Sequence, residues 1–354
     1  MSAQILGVGS CLPTLRRTNQ DFIAHRFYKG IDQPFEDSNE IIIEKFKEIT
    51  GIEERRYAEK EQTNSDLGII AAQKAIAAAG LDPETLDYII FAHNFGDVRF
   101  ASNHLDMLPA LASRVKHALG IANPNCVAYD MLFGCPGWIE ALIQANLYIK
   151  AGAAVNCLVI GSETLSRVVD PHDRDSMIFA DGAGACILSA NRTNDVSGIL
   201  AHATQTFTKD EAYFLNNGPS LNSKHHIHEK YIKMQGRKIY EFALTKVPAA
   251  MKIALDKSGV AIEDVKKIFI HQANEKMDEA IIDRFYRLFK AERPENIMPM
   301  NIQFNGNSSV ATVPTLLDAV IRGEYPEHQL NTGDVIILAS VGAGMNINAV
   351  VYRW

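Results

Sequence analysis

The chain has 354 residues, 47% of them apolar and 22% charged, which is enough to bury a large core and gives no sign of disorder. Its net charge of -7 argues against a general affinity for nucleic acid or an anionic membrane, because neither polyanion gains from an acidic partner. Five cysteines without C-x-x-C spacing disfavour both a disulfide framework and a zinc site.

The N-terminus lacks the basic and apolar regions of a signal peptide, and no apolar run reaches the roughly 20 residues needed to span a bilayer. A soluble protein in a reducing cytoplasm is expected. Apolar, β-branched runs predict buried strands at Tyr88–Ala92, Cys157–Gly161, Ala185–Ser189, Lys267–His271 and Val335–Ala339. Helical periodicity lies between them at Ser65–Ala79, Gly137–Ala151, Arg237–Ser258, Lys276–Lys290 and Val313–Ile321. This alternation predicts mainly parallel sheets with helices on their faces, an α/β protein. The polar stretch from Gln205 to Tyr231 reads as a long surface loop. It holds His225, His226 and His228 without the Cys or carboxylate spacing of a metal site, so no metal is expected.

The two halves of the chain resemble each other. Leu81 to His93 leads a helix end into a strand, and Val260 to His271 does the same. Each half then has a residue at a strand-to-helix turn, Cys135 or Asn307, followed by an apolar helix and a Gly-Ala-Gly turn, Gly182 to Gly184 or Gly342 to Gly344. Three matches in one order imply a duplicated unit. The halves are expected at 1–192 and 193–354, because the segment from Asn191 to Val196 breaks the strand pattern.

The run Tyr129-Asp-Met-Leu-Phe-Gly-Cys135-Pro-Gly-Trp sets a cysteine at a helix N-terminus, with Pro136 suited to the first helical position. Unpaired N–H groups and the helix dipole there favour thiolate, so Cys135 is expected to be the reactive thiol. Cys11, Cys126, Cys157 and Cys186 read as packing residues. His271 ends a strand, at the edge where α/β sheets place ligands. Asn307, after Gly306, starts the next helix and has a competing explanation as a plain N-cap. If the halves pack about a pseudo-twofold axis, all three meet at the centre. The turn Gly342-Ala-Gly344 then offers a backbone N–H, Gly344 being the residue expected to complete an oxyanion hole with the N–H of Cys135.

The Cys135 segment, Gly161-Ser-Glu-Thr, Asp170-Pro-His-Asp-Arg, Phe179-Ala-Asp-Gly-Ala-Gly, Met234-Gln-Gly-Arg237, His271-Gln-Ala-Asn274, Gly306-Asn-Ser-Ser and Gly342-Ala-Gly resemble β-ketoacyl-[acyl-carrier-protein] synthase III over nearly the whole chain. The resemblance implies a thiolase fold, a duplicated half forming a five-layered α-β-α-β-α sandwich. It further implies a homodimer and a Cys-His-Asn condensing centre at Cys135, His271 and Asn307. No cysteine follows Cys186, unlike thiolases, and Asn307 stands where elongating synthases carry a second histidine. The implied reaction is acyl transfer to Cys135, then decarboxylative Claisen condensation with a malonyl thioester. It needs no metal or redox cofactor; acyl and malonyl thioesters of coenzyme A or acyl carrier protein are its substrates.

The sequence departs from that family in places. Aligned on Thr50-Gly-Ile52, Lys45 and Ile49 replace the tryptophan and arginine that sandwich the adenine of coenzyme A. Asp175 follows Arg174 where the family has glycine. Arg174 is a candidate phosphate contact; Lys276, Arg284 and Arg287, at spacings that share a helix face, are candidate docking residues for an acidic carrier protein. Phe133, Phe95 and Phe100 are candidates for the acyl pocket. Alternatives remain: a secondary-metabolite ketosynthase joining longer or β-keto acyl units (resorcinol-, quinolone- or ester-forming type), a thioester hydrolase, or a silent partner subunit.

Overall fold

The computed structural model describes residues 2–102, 104–191, 197–226 and 228–354. In chain order come β1 (Ala3–Cys11), β2 (Leu15–Thr18), β3 (Tyr28–Gly30), β4 (Gln33–Pro34), α1 (Asn39–Thr50), β5 (Glu54–Tyr57), α2 (Asn64–Ala79), β6 (Tyr88–Ala92) and α3 (Leu111–Ala118). Next are β7 (Val127–Met131), α4 (Gly137–Lys150), β8 (Asn156–Thr164), β9 (Asp181–Ala190), β10 (Gly198–Thr206), β11 (Leu215–Gly218), β12 (Tyr231–Met234) and α5 (Gly236–Ser258). The chain closes with β13 (Val265–Ile270), α6 (Glu275–Arg287), α7 (Ile302–Asn305), α8 (Thr312–Ile321), β14 (Val335–Gly342) and β15 (Asn346–Arg353).

One sheet has the order β1-β9-β8-β6-β7 and the other β10-β15-β14-β13. The first four strands of each correspond in both order and direction. β1–β9 and β9–β8 are antiparallel and β8–β6 parallel, as β10–β15 and β15–β14 are antiparallel and β14–β13 parallel. The sheets are thus mixed rather than mainly parallel. The apolar runs gave no direction, and β14 returns directly as β15 through a tight turn in which Gly344 has φ 75°. The switch from one sheet to the other falls between Ala190 and Gly198, and the expected boundary at 192/193 lies outside the described residues.

Five layers result. α2 and α3 cover the outer face of the first sheet, α4 and α8 fill the space between the sheets, and α5 and α6 cover the outer face of the second. The central pair follows from composition. α8 buries nine consecutive residues from Thr312 to Val320, with Thr312, Thr315 and Asp318 among them, and α4 buries Trp138, Ile139, Leu142, Ile143 and Ile149, as helices enclosed by two sheets must. α6 is amphipathic and buries only Met277, Asp278, Ile281, Ile282, Phe285 and Tyr286.

Two local expectations change. Gly182 and Gly184 lie inside β9, not in a turn; a Cβ at Gly184 would come 2.6 Å from Pro314, so this glycine lets α8 pack against the strand. The stretch after Gln205 is not simply a surface loop. β11 and β12 pair antiparallel within it, with Leu215 opposite Met234 and Gly218 opposite Tyr231. The histidines do not gather round a metal: His225 stacks edge-on against His172 and His226, and the described residues hold no cluster fit for one.

Candidate active site

Cys135 sits between β7 and α4, at the centre of the molecule, and both halves hold it. Gly134 has φ 69°, and a Cβ there would lie 2.7 Å from the backbone N and O of Ala343, so glycine is required by conformation and space together. From β15, Asn346 Nδ2 donates to the carbonyls of Phe133 (3.2 Å) and Ala343 (2.9 Å), and Asn348 Nδ2 donates to that of Pro136 (3.0 Å). A Cβ on Gly342 would fall 2.4 Å from Cys135 N. The turn between β14 and β15 therefore lies directly on the backbone of Cys135.

His271 follows β13, with its N–H donating to Ala339 O at 2.9 Å, and only 4% of it is exposed. Its Nδ1 is buried without a partner in the protein. Asn307 is equally buried and is held between Ile178 O (2.9 Å from its N) and Ala180 N (2.8 Å from its O). Its Oδ1 accepts from Ser309 N–H at 2.8 Å. An N–H can only donate, so this bond fixes the amide and leaves Nδ2 as the free donor end. Asn307 is not the N-cap that one reading of the sequence allowed: Ser308 caps the single 3-10 turn Ser309–Ala311 that precedes α8, and Asn307 stands one residue before that cap.

Ser309 joins these groups. Its N–H donates to Asn307 Oδ1, its carbonyl favours the protonated His271 ring, and its hydroxyl favours the Cys135 thiolate. It adopts φ 53°, uncommon for a residue with a side chain, so the surrounding contacts impose this conformation. The hydroxyl also accepts from Asn94 Nδ2 at 3.2 Å, and Asn94 reaches the fully buried Glu163 carboxyl at 2.5 Å.

Burial dominates the electrostatics. It pushes the Cys135 thiol up to about 11, partly offset by the Ser309 hydroxyl and by the thiol's own backbone N–H. A rise from 9.0 is worth about 3 kcal/mol, more than the ~0.3–1 kcal/mol a helix end usually supplies. The resting cysteine is therefore a thiol, contrary to the expectation from its place at a helix N-terminus. Burial also lowers His271 to about 4 and raises Glu163 to about 8, so both are neutral at pH 7. A cavity of about 220 Å³ opens on Cys135, lined by Phe95, Asn94, Ser309, Phe179 and Ala343, with Leu215, Asn216, Asn217 and Ile232 of the β11–β12 ribbon.

Residues 129–206 match the family model of 3-oxoacyl-[acyl-carrier-protein] synthase III, and residues 255–354 match the model of its C-terminal part. A β-ketoacyl-[acyl-carrier-protein] synthase III of Sphingopyxis alaskensis is 32% identical over 355 residues, covering 99% of this chain and 98% of that protein. The chain belongs to the 3-oxoacyl-[acyl-carrier-protein] synthase III family. The crystal structure of such a synthase from Aquifex aeolicus superposes with a TM-score of 0.78 at 33% identity, covering 99% of this chain and all of that one. The priming β-ketosynthase of the R1128 polyketide pathway, 23% identical with a TM-score of 0.80, covers 99% of this chain and 96% of its own; it shares the fold.

Within this synthase III framework the other candidates separate. Ala343, not Gly344, lines the Cys135 cavity; Gly344 is turned towards the Asn346 side chain, because the left-handed residue must sit at the turn's far corner. Phe95 lines the cavity, whereas Phe133 and Phe100 do not. Phe100 is 50% exposed, with Arg167 and Lys60 over its ring at 4.9 and 5.3 Å. Arg174 lies 5.6 Å over the Phe35 ring and 3.1 Å from Asp175. Lys276, Arg284 and Arg287 are exposed on α6, with Arg284 Nη1 donating to Leu244 O at 3.3 Å. Ser309, Asn94, Asn346, Asn348 and the β11–β12 ribbon went unnoticed in the sequence. Only Ser309 carried a signal, its place two residues after Asn307.

Proposed function

We propose that this chain is a condensing acyltransferase that makes a β-ketoacyl thioester, with Cys135 as nucleophile and His271 and Asn307 as the groups that steer the carbanion. The observation that carries this reading is the convergence on Ser309, whose N–H donates to Asn307 Oδ1 and whose hydroxyl and carbonyl act on the charge states of Cys135 and His271. Cys135 Sγ attacks the acyl thioester carbonyl and loses its proton as the pantetheine thiol leaves. The N–H groups of Cys135 and Ala343 serve the oxyanion of the tetrahedral intermediate. A malonyl thioester then loses carbon dioxide. Its enolate oxygen is stabilised by Asn307 Nδ2 and by the single N–H of neutral His271, which turns from the Ser309 carbonyl to donate to it, and its carbon attacks the acyl-Cys135 carbonyl and frees the sulfur. No electrons change hands, so the thioesters are substrates and no redox group is called for.

The relatives' names, β-ketoacyl-[acyl-carrier-protein] synthase III, support acyl carrier protein as a partner. Lys276, Arg284 and Arg287 are the residues we assign to its docking. A homodimer is supported by β7, which ends the first sheet as an edge strand with Val127 47% exposed. Two thiolase-like halves at 1–192 and 193–354 are supported by the matched strand orders. A reducing, cytoplasmic setting is supported by five free cysteines; among the described residues no helix is long and apolar enough to cross a membrane.

The test is intact-protein mass spectrometry of wild type and Cys135→Ala after incubation with acyl thioesters of several chain lengths. An acyl adduct on wild type alone is expected. Equal labelling of the variant removes Cys135 from its role.

A further inference from the structure

Two cavities continue outward from the one at Cys135. The nearer shares Asn216 with it and is lined by Lys29, Asp173, Arg174, Asp175 and Lys233 among others. The outer shares Arg174 and Asp175 with the nearer and reaches Arg237 and Asn274. These residues flank the approach to the Cys135 cavity on that side.

Every cation on this route already has a carboxylate partner. Lys233 Nζ lies 2.6 Å from Asp170 and 3.0 Å from Asp173, Arg174 3.1 Å from Asp175, Arg237 3.0 Å from Glu241 and Lys29 3.5 Å from Glu36. Asp173 and Asp175 also face the passage themselves. The nucleotide end of coenzyme A carries a pyrophosphate and a 3′-phosphate, and such a polyanion is held by cations that are free to turn to it. Here it would have to displace the carboxylates and then lie against them. A pantetheine arm borne by a protein carries one phosphodiester and no nucleotide.

Charge is left over one step outside the passage. α6 begins immediately after Asn274, and its Lys276, Arg284 and Arg287 make no ion pair among the described residues, while Glu279 and Asp283 on the same helix are bound by Arg293. A neutralised passage beside three cations of α6 that have no ion-pair partner among the described residues suits an acidic protein surface better than a nucleotide.

We propose that the Arg174–Asp175 pair, together with the carboxylates that bind Lys233, makes this enzyme select acyl groups delivered on a carrier protein and discriminate against acyl-coenzyme A. The inference rests on the reading of Cys135 as the acylated residue. Asp175 is its specificity-determining residue.

The experiment compares kcat/KM for acylation of Cys135 by one acyl group presented on coenzyme A, on free pantetheine and on holo acyl carrier protein. In wild type, coenzyme A is expected to be no better than free pantetheine, and the carrier to exceed both. Asp175→Asn keeps the shape and removes the charge; it should raise the ratio of coenzyme A to pantetheine about tenfold, the size of one screened charge contact, with the gain in KM. A wild-type ratio above about ten in favour of coenzyme A overturns the proposal without using any variant. So does an Asp175→Asn protein whose ratio is unmoved. If none of the three thioesters labels Cys135, the nucleophile assignment itself fails and this inference falls with it; labelling with the wrong ratio sinks the inference alone.

Discussion

His93 and His271 occupy equivalent places in the two halves, each just after the strand that pairs in parallel with the long central one, yet they are chemically opposite. Both ring nitrogens of His93 are committed: Nε2 meets Asp130 at 3.0 Å and Nδ1 accepts from Gly96 N–H at 3.0 Å. Asp130 in turn receives the N–H groups of Leu111 and Ala112, both at 2.8 Å, which start α3. His93 is thus a brace between a strand end and a helix end. His271 has an unpartnered Nδ1, no carboxylate beside it, and Ser309 on the ring. The position in the repeat makes a histidine available at a sheet edge; the partners decide whether it is scaffolding or chemistry.

Exchanging the histidines' fates is the strongest way to break this comparison. His271→Ala should lower β-ketoacyl formation about 10³-fold with the melting temperature nearly unchanged, since the ring leaves few bonds behind. His93→Ala should instead cost about 1–3 kcal/mol of stability while the folded fraction keeps its rate. Steady-state assays beside thermal melts read both, and a large activity loss from His93→Ala at intact stability would place chemistry in the first half's histidine as well.

A second contrast concerns the thiol. With Cys135 near 11 and His271 near 4, the two are a neutral pair at pH 7 and not a thiolate–imidazolium pair. Alkylation of Cys135 by iodoacetamide should accelerate about tenfold per pH unit from pH 7 to pH 9, following the thiolate fraction. A rate already level across that range would mean an ion pair and would contradict the assignment of His271 as neutral.

The smallest effect is on acid stability. His271 takes its proton near pH 4 when folded, against about 6.5 when unfolded. The unfolded state therefore binds more protons between those values. Stability from this residue is complete above about pH 6.5 and is lost as pH falls towards 4, roughly 2 kcal/mol by pH 5. Urea midpoints at pH 7 and pH 5 should differ less in His271→Ala than in wild type, and an equal difference would show that other groups carry the acid sensitivity.

Much was legible in the sequence because local patterns encode local physics. The strand Tyr88–Ala92 was read at its observed bounds, and the helices that became α2, α4, α5 and α8 within one or two residues, since apolar periodicity reports which face is buried. The order of motifs gave the duplicated half and brought forward Cys135, His271 and Asn307. Strand direction was not legible, because a buried run looks the same in either sense. The glycines of β9 were read as a turn because their reason lies in Pro314, some 130 residues away.

The sequence by itself determined the main strand and helix segments, the repeated order of motifs and the candidates Cys135, His271 and Asn307. Tertiary structure decided what those groups are in place. It made the helix-end cysteine a resting thiol, because burial outweighs the dipole; it set Ala343 rather than Gly344 in the lining of the Cys135 cavity. It turned a polar stretch into one wall of the cavity and tied Arg174 to Asp175. Each of these outcomes depends on charge, solvent and contact between segments far apart in the chain, which no local pattern records.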